Sequence, residues 1–261
     1  MKRVMIEADL EGISGISSMR EIQDRTSEDY ARACKRLMAD VNAAIAGAFA
    51  GGADEVYVED GHGGGKNFLP GKLDPRAKEI VFDDGNYDPA SITCLMQVGM
   101  HAMAGTLNAF LDHTQSSVAW HDYYLNGRKA GELAQTAAYF GAYGVPCVMV
   151  SGDGATCLEA RQFFGDIETA EVKTAVGRNT AHCLPDNEAE RLIFEAAKRG
   201  MAKCDAIRPY KPLLPLEIRI EYNRSDYCDA VVNARTDAER LDARTVRRVA
   251  EEIRTFADVL I

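Results

Sequence analysis

Val4, Met5 and Ile6 form a short apolar run bounded by polar residues, the pattern of a central parallel strand. Asp9 and Glu11 follow at its carboxyl end. Residues two apart on a strand point to one face, so extended geometry carried through residue 11 would aim both carboxylates into one place. From Ser27 to Ala50, apolar residues at Tyr30, Cys34, Leu37, Met38, Val41, Ile45 and Phe49 trace one helical face, with Glu28 and Asp29 in the first turn. Gly51 and Gly52 end it, and Glu55 to Glu59 reads as a second strand that breaks into the glycine-rich "DGHGGG". Strand, helix and strand make a βαβ unit, whose strands are expected to be parallel with a right-handed crossover.

The pattern predicts further strands at Glu79 to Phe82, Cys94 to Val98 and Val145 to Val150, and a hairpin around Ala119 to Leu125 turning at "NGR". Helices are expected at Gly131 to Tyr143, Gly154 to Phe164 and Asp186 to Lys203. The sum is an α/β fold, a three-layer domain with a mostly parallel central sheet flanked by helices, spanning residues 1–208. Pro209, Pro212 and Pro215 then make a stiff extended connector. Beyond it we expect strands near Leu216 to Tyr222 and Ala230 to Ala234, and a last helix with Val246, Val249, Ile253, Phe256 and Leu260 on one stripe. Residues 209–261 thus read as a small C-terminal α+β subdomain that serves assembly.

Composition narrows the function classes. The 261 residues can bury a sizeable core, and no apolar run approaches the ~20 residues of a membrane span. The first apolar stretch is broken at once by Glu7, Asp9 and Glu11, which argues against a secretory signal and for a cytoplasmic protein. A net charge of −10 argues against nucleic-acid binding through phosphate contacts. The seven cysteines are scattered, with no C-x-x-C pair, and read as buried small hydrophobes.

The five histidines are informative by placement. His62 and His101 both lie just past strand carboxyl ends, as Asp9 and Glu11 do, and in open parallel sheets that edge binds ligands. Two carboxylates and two imidazoles there have the ligand chemistry of zinc or another first-row divalent ion. Glu132, at a predicted helix start, is a candidate fifth ligand, and Asp9 could bridge two ions through its two oxygens. Each feature alone has a plainer explanation: Glu132 could serve the helix dipole, and loop histidines such as His121 and His182 are more often surface residues. His113, in "FLDHTQ", is the candidate catalytic histidine outside the metal shell, with Asp112 either orienting it or solvated.

The segments "ADLEGISG", "EDGHGG", "VGMHA", "DHT", "NGRKAGE" and "VPCVMVSGD", in this order, resemble the zinc-dependent D-aminopeptidases, across roughly the whole chain. The resemblance implies a dinuclear zinc site, two ions per subunit, bridged by Asp9 and completed by Glu11, His62, His101 and Glu132, with His113 as the catalytic histidine. It also implies removal of an N-terminal D-amino acid such as D-alanine from short peptides or amides. The implied assembly is a ring-like homo-oligomer, a decamer in the founding member. The chain departs from the family pattern at Met100, where an aromatic is expected, and at Asp112, where serine is expected; both are expected to line the substrate pocket.

Two rival readings stand beside this one. "ADLEGIS" with the later "VMVSGDGATCLE" loosely resembles the haloacid-dehalogenase-type magnesium phosphatases, with Asp9 as nucleophile and Asp153 on magnesium, though Glu11 replaces the second aspartate and Asp153 also suits a helix cap. A non-catalytic dipeptide-binding protein is the other, and it leaves the metal-type cluster without work.

Overall fold

The computed structural model describes residues 1–261. Strands β1 (Arg3–Ala8), β2 (Glu55–Asp60), β3 (Ala77–Ile80) and β4 (Cys94–Met100) precede a hairpin, β5 (Trp120–Leu125) and β6 (Arg128–Ala130). They are followed by β7 (Cys147–Asp153), β8 (Glu168–Gly177), β9 (Thr180–Cys183), β10 (Leu216–Tyr222), β11 (Ala238–Arg240) and β12 (Thr245–Ala250). Helices α1 (Arg20–Gln23) and α2 (Glu28–Ala50) link β1 to β2, and α3 (Glu132–Ala142), α4 (Gly154–Phe164), α5 (Asp186–Ala202) and α6 (Ser225–Ala234) come later.

Seven strands form the central sheet in the order β3-β2-β1-β4-β7-β8-β9, all parallel except β9 against β8. The apolar run of β1 is continuous because both faces are covered. Val4, Ile6 and Ala8 pack into the core shared with α2 and α5, and Met5 packs into the opposite core with α3 and the second sheet. Helix α2 starts where its acids predict, with the Ser27 hydroxyl accepting from Tyr30 N at 3.0 Å.

The second sheet is antiparallel, ordered β11-β12-β10-β5-β6. Its pairing of β10 with β5 joins the hairpin of residues 120–130 to the C-terminal strands, so this sheet crosses the expected boundary at residue 209. Two local expectations are corrected. Residues 245–250 form strand β12, with Val246 opposite Ile220 of β10, and only Phe256–Val259 turn helically; Val246 is buried, but Val249 of the expected stripe is 43% exposed on the strand. The expected strand at Ala230 to Ala234 is the end of helix α6, whose β-branched Val231 and Val232 mimic strand composition. Strands β8 and β9, unpredicted, extend the sheet beyond β7.

Candidate metal centre

The chain runs from β1 outward through β2 and β3, then returns to place β4 on the other side of β1. That reversal opens a crevice at the strand carboxyl ends, where open α/β sheets bind ligands. Asp9 N donates to Val98 O at 2.8 Å and Gly12 N to Gly99 O at 2.8 Å, so the acid-bearing segment stays laced to the end of β4. The lacing needs glycine. Gly99 has φ +73°, and a Cβ there would lie 2.3 Å from Asp9 O, while one at Gly12 would lie 1.8 Å from Met100 O.

Five expected side chains meet in this crevice. Nδ1 of His62, in the turn after β2, lies 3.1 Å from Asp9 Oδ1 and 2.9 Å from Glu11 Oε2. Nε2 of His101, past β4, lies 3.3 Å from Asp9 Oδ2 and 3.3 Å from Glu132 Oε1. Glu132 opens α3, behind the hairpin β5–β6. The two oxygens of Asp9 therefore face different imidazoles. His101 Nδ1 faces Ala102 O at 3.1 Å; donating there leaves Nε2 as the lone-pair nitrogen.

The donor set fits a cation. Asp9 Oδ2 and His101 Nε2 are buried yet have no hydrogen-bond partner, an arrangement that is costly unless something positive sits between them. Burial, and then the Glu11 charge, push the Asp9 pKa up. Burial opposes ionisation of Glu11, but His62 overrides it and holds that carboxyl low. Burial likewise disfavours the His62 imidazolium, yet Glu11 and Asp9 pull it up to about 10. His101 is raised against the same opposition by Glu132 and Asp9. So many carboxylates in one dry pocket favour positive charge, and oxygen and imidazole donors together suit zinc.

His113 stands beside this cluster. Its ring stacks on His101 with centroids 3.9 Å apart and planes at 12°. Its Nδ1 faces Leu111 O at 2.8 Å, and its Nε2 lies 3.9 Å from Glu11 Oε1 and 3.8 Å from Glu132 Oε1. Asp112 does not orient it: Asp112 accepts from Gly105 N at 2.7 Å and pairs with Arg178 Nε at 3.3 Å. Met100 does not line the pocket but is buried in the core. His121 and His182 are exposed. Asp153 caps α4, accepting from Thr156 N at 2.8 Å and Thr156 Oγ1 at 2.7 Å through Oδ1 and from Phe110 N at 2.6 Å through Oδ2, so both oxygens are engaged without magnesium.

Other residues at the site gave little signal in the sequence. Gln115, with φ +58°, donates its backbone N–H to Glu132 Oε1 at 2.7 Å. Lys173 is buried and donates to Glu11 O at 2.9 Å and Ile16 O at 2.8 Å, steadying the segment that carries Glu11. A register shift between β7 and β8 beside Asp153 leaves both Val172 and Lys173 buried, and simple alternation cannot foresee that. The crevice opens into a cleft of about 590 Å³ that Glu7, Glu59, Asp60 and Glu79 also line.

The peptidase M55 family model, described as D-aminopeptidase, matches residues 1–260. A D-aminopeptidase of Bacillus subtilis (strain 168) is 31% identical over 218 residues, 80% of this chain and 77% of that protein. Among solved structures, the Zn-dependent D-aminopeptidase DppA from Bacillus subtilis, described as a self-compartmentalizing protease, superposes with a TM-score of 0.88. It is 27% identical, and the match covers 98% of this chain and 94% of that one.

Proposed function

This chain belongs to the M55 D-aminopeptidase family, and from that premise we propose that it is a dinuclear zinc aminopeptidase that removes an N-terminal D-residue such as D-alanine from short peptides or amides. The observation that carries the reading is the split of Asp9: Oδ1 faces His62 at 3.1 Å and Oδ2 faces His101 at 3.3 Å. Asp9, Glu11 and His62 would hold one ion, and Asp9, His101 and Glu132 the other. Zinc bound there supplies Lewis acidity toward a peptide carbonyl and lowers the pKa of water.

The protein's own groups do the rest. His113, if its Nδ1–H donates to Leu111 O, presents a basic Nε2 to the crevice, able to take a proton from the attacking group and return it to the leaving amine. The acid-lined cleft favours the ammonium group of a free N-terminus. The turn at His62 and Phe256 also line the cleft. Extending the description of the solved relative, we take the working form to be a homo-oligomer, a decamer by the family resemblance. The free cysteines suit a reducing, cytoplasmic setting.

The test is hydrolysis of D-alanyl-glycine and L-alanyl-glycine by purified zinc-loaded protein. Release of free D-alanine, at a rate well above that of L-alanine, supports the proposal; inertness toward every alanyl peptide and amide contradicts it.

A further inference from the structure

Beyond His113 the acid-lined cleft meets a smaller recess of about 170 Å³, lined by Glu11, His62, His113 and Arg178 with an apolar contribution from Met19 and Ile22. At ~30 Å³ per water, this is space for about six waters or one small amino-acid residue. An adjoining recess of about 360 Å³ again has both His113 and Arg178 in its wall. Arg178 is the one lysine or arginine lining either recess. It follows β8 directly, in the turn to β9.

Its side chain is held at several points. Nε lies 3.3 Å from Asp112 Oδ1, one terminal nitrogen donates to Asp112 O at 3.1 Å, and the other donates to Asn179 Oδ1 at 3.1 Å. Leu111 N in turn donates to the Arg178 carbonyl at 2.7 Å. A guanidinium has five N–H groups. Three are engaged here, so each terminal nitrogen keeps one free, and the side chain is 42% exposed. A fixed fork with two free N–H groups matches a carboxylate, and its ordering cost has been met before ligand arrives.

The charge pattern is dipolar about His113. Among the carboxyls of the cleft, burial raises Glu7 to about 7 and Glu59 to about 8, so Asp60 and Glu79 are the ones that favour an ammonium, and the recess past His113 offers a guanidinium. We propose that Arg178 binds the terminal carboxylate of a dipeptide, so that the site selects zwitterionic dipeptides over amides and longer chains. This rests on the aminopeptidase reading, because it places the leaving residue on the side of His113 that Arg178 occupies. Lys66 is exposed and lines the acidic cleft instead.

The experiment compares D-alanyl-glycine with D-alanyl-glycinamide, which differ at the carboxylate, in wild type, Arg178→Gln, Arg178→Lys and Lys66→Gln. Arg178→Gln is expected to lower the dipeptide-to-amide ratio of kcat/KM by ~10- to 100-fold, mainly through KM, with Arg178→Lys in between. Equal losses on both compounds would reduce Arg178 to a support for the His113 loop and overturn the proposal. An unchanged ratio, or a shift that follows Lys66→Gln instead, would also overturn it. If wild type cleaves neither compound, the aminopeptidase reading fails, and calorimetric binding of the same two compounds decides the role of Arg178 by the same ratio.

Discussion

Asp9 Oδ2 and His101 Nε2 face each other across 3.3 Å, both buried and neither hydrogen-bonded. A carboxylate oxygen and an imidazole lone pair repel at that distance unless a proton or a cation lies between them. The other oxygen of Asp9 faces a second imidazole, within hydrogen-bonding distance of His62 Nδ1 at 3.1 Å. Asp9→Asn keeps the shape and removes the charge that two ions would share. It is expected to lower bound zinc from about two to fewer than one per chain, with the far-ultraviolet circular dichroism retained. Elemental analysis checks this, and normal zinc content in Asp9→Asn would remove the bridging role.

His113 is close enough to His101 and Glu132 for the three to offer ligand atoms within 4.8 Å of one another. Its nitrogen nevertheless stands farther from the carboxylates than those of His62 and His101 do. His113→Ala is therefore expected to lower kcat by ~100-fold or more while zinc content stays near wild type. Loss of one zinc would instead make His113 a ligand.

Gly99 sets the approach of β4 to the acid-bearing segment. With φ +73° and Asp9 O 2.3 Å from any added Cβ, Gly99→Ala forces either β4 or Asp9 to move. We expect a destabilisation of about 2–4 kcal/mol and a weakened zinc site, measurable by denaturant unfolding and zinc titration. A variant with wild-type stability and zinc affinity would show that the lacing between β1 and β4 does not position the ligands.

Much of this was legible in the sequence because it rests on local periodicity. The apolar run of β1, the stripe of α2 and the histidines past β2 and β4 each declare themselves within a few residues. The parallel sheet then follows from the βαβ order, and strand ends become neighbours whatever their separation in sequence. What was hidden depends on long-range pairing. Residues 245–250 become a strand because β10 offers an edge. Lys173 is buried beside Val172 where the register of β7 and β8 shifts, and Arg178 reaches His113 through contacts between segments 66 residues apart. Residue type also misled: Met100 belongs to the core beneath the site.

Asp40 gives a pH dependence separate from the metal centre. Burial pushes its pKa from 3.8 up to about 6, against hydrogen bonds from Ser14 and the charge of Arg36. The folded chain thus holds this proton more tightly than the unfolded chain between those values, so stability falls as pH rises through about 4 to 6 and the cost persists above. Asp40→Asn removes the slope. The stability difference between variant and wild type is expected to move toward the variant by on the order of 2–3 kcal/mol from pH 4 to pH 7, read from thermal unfolding at each pH. Parallel profiles would mean that Arg36 and Ser14 fully offset the burial.

The most direct measurement is the zinc content of wild-type protein, stripped with chelator, reloaded and freed of excess metal. The arrangement of Asp9, Glu11, His62, His101 and Glu132 predicts about two ions per chain. A plateau at one ion, or none, would contradict it.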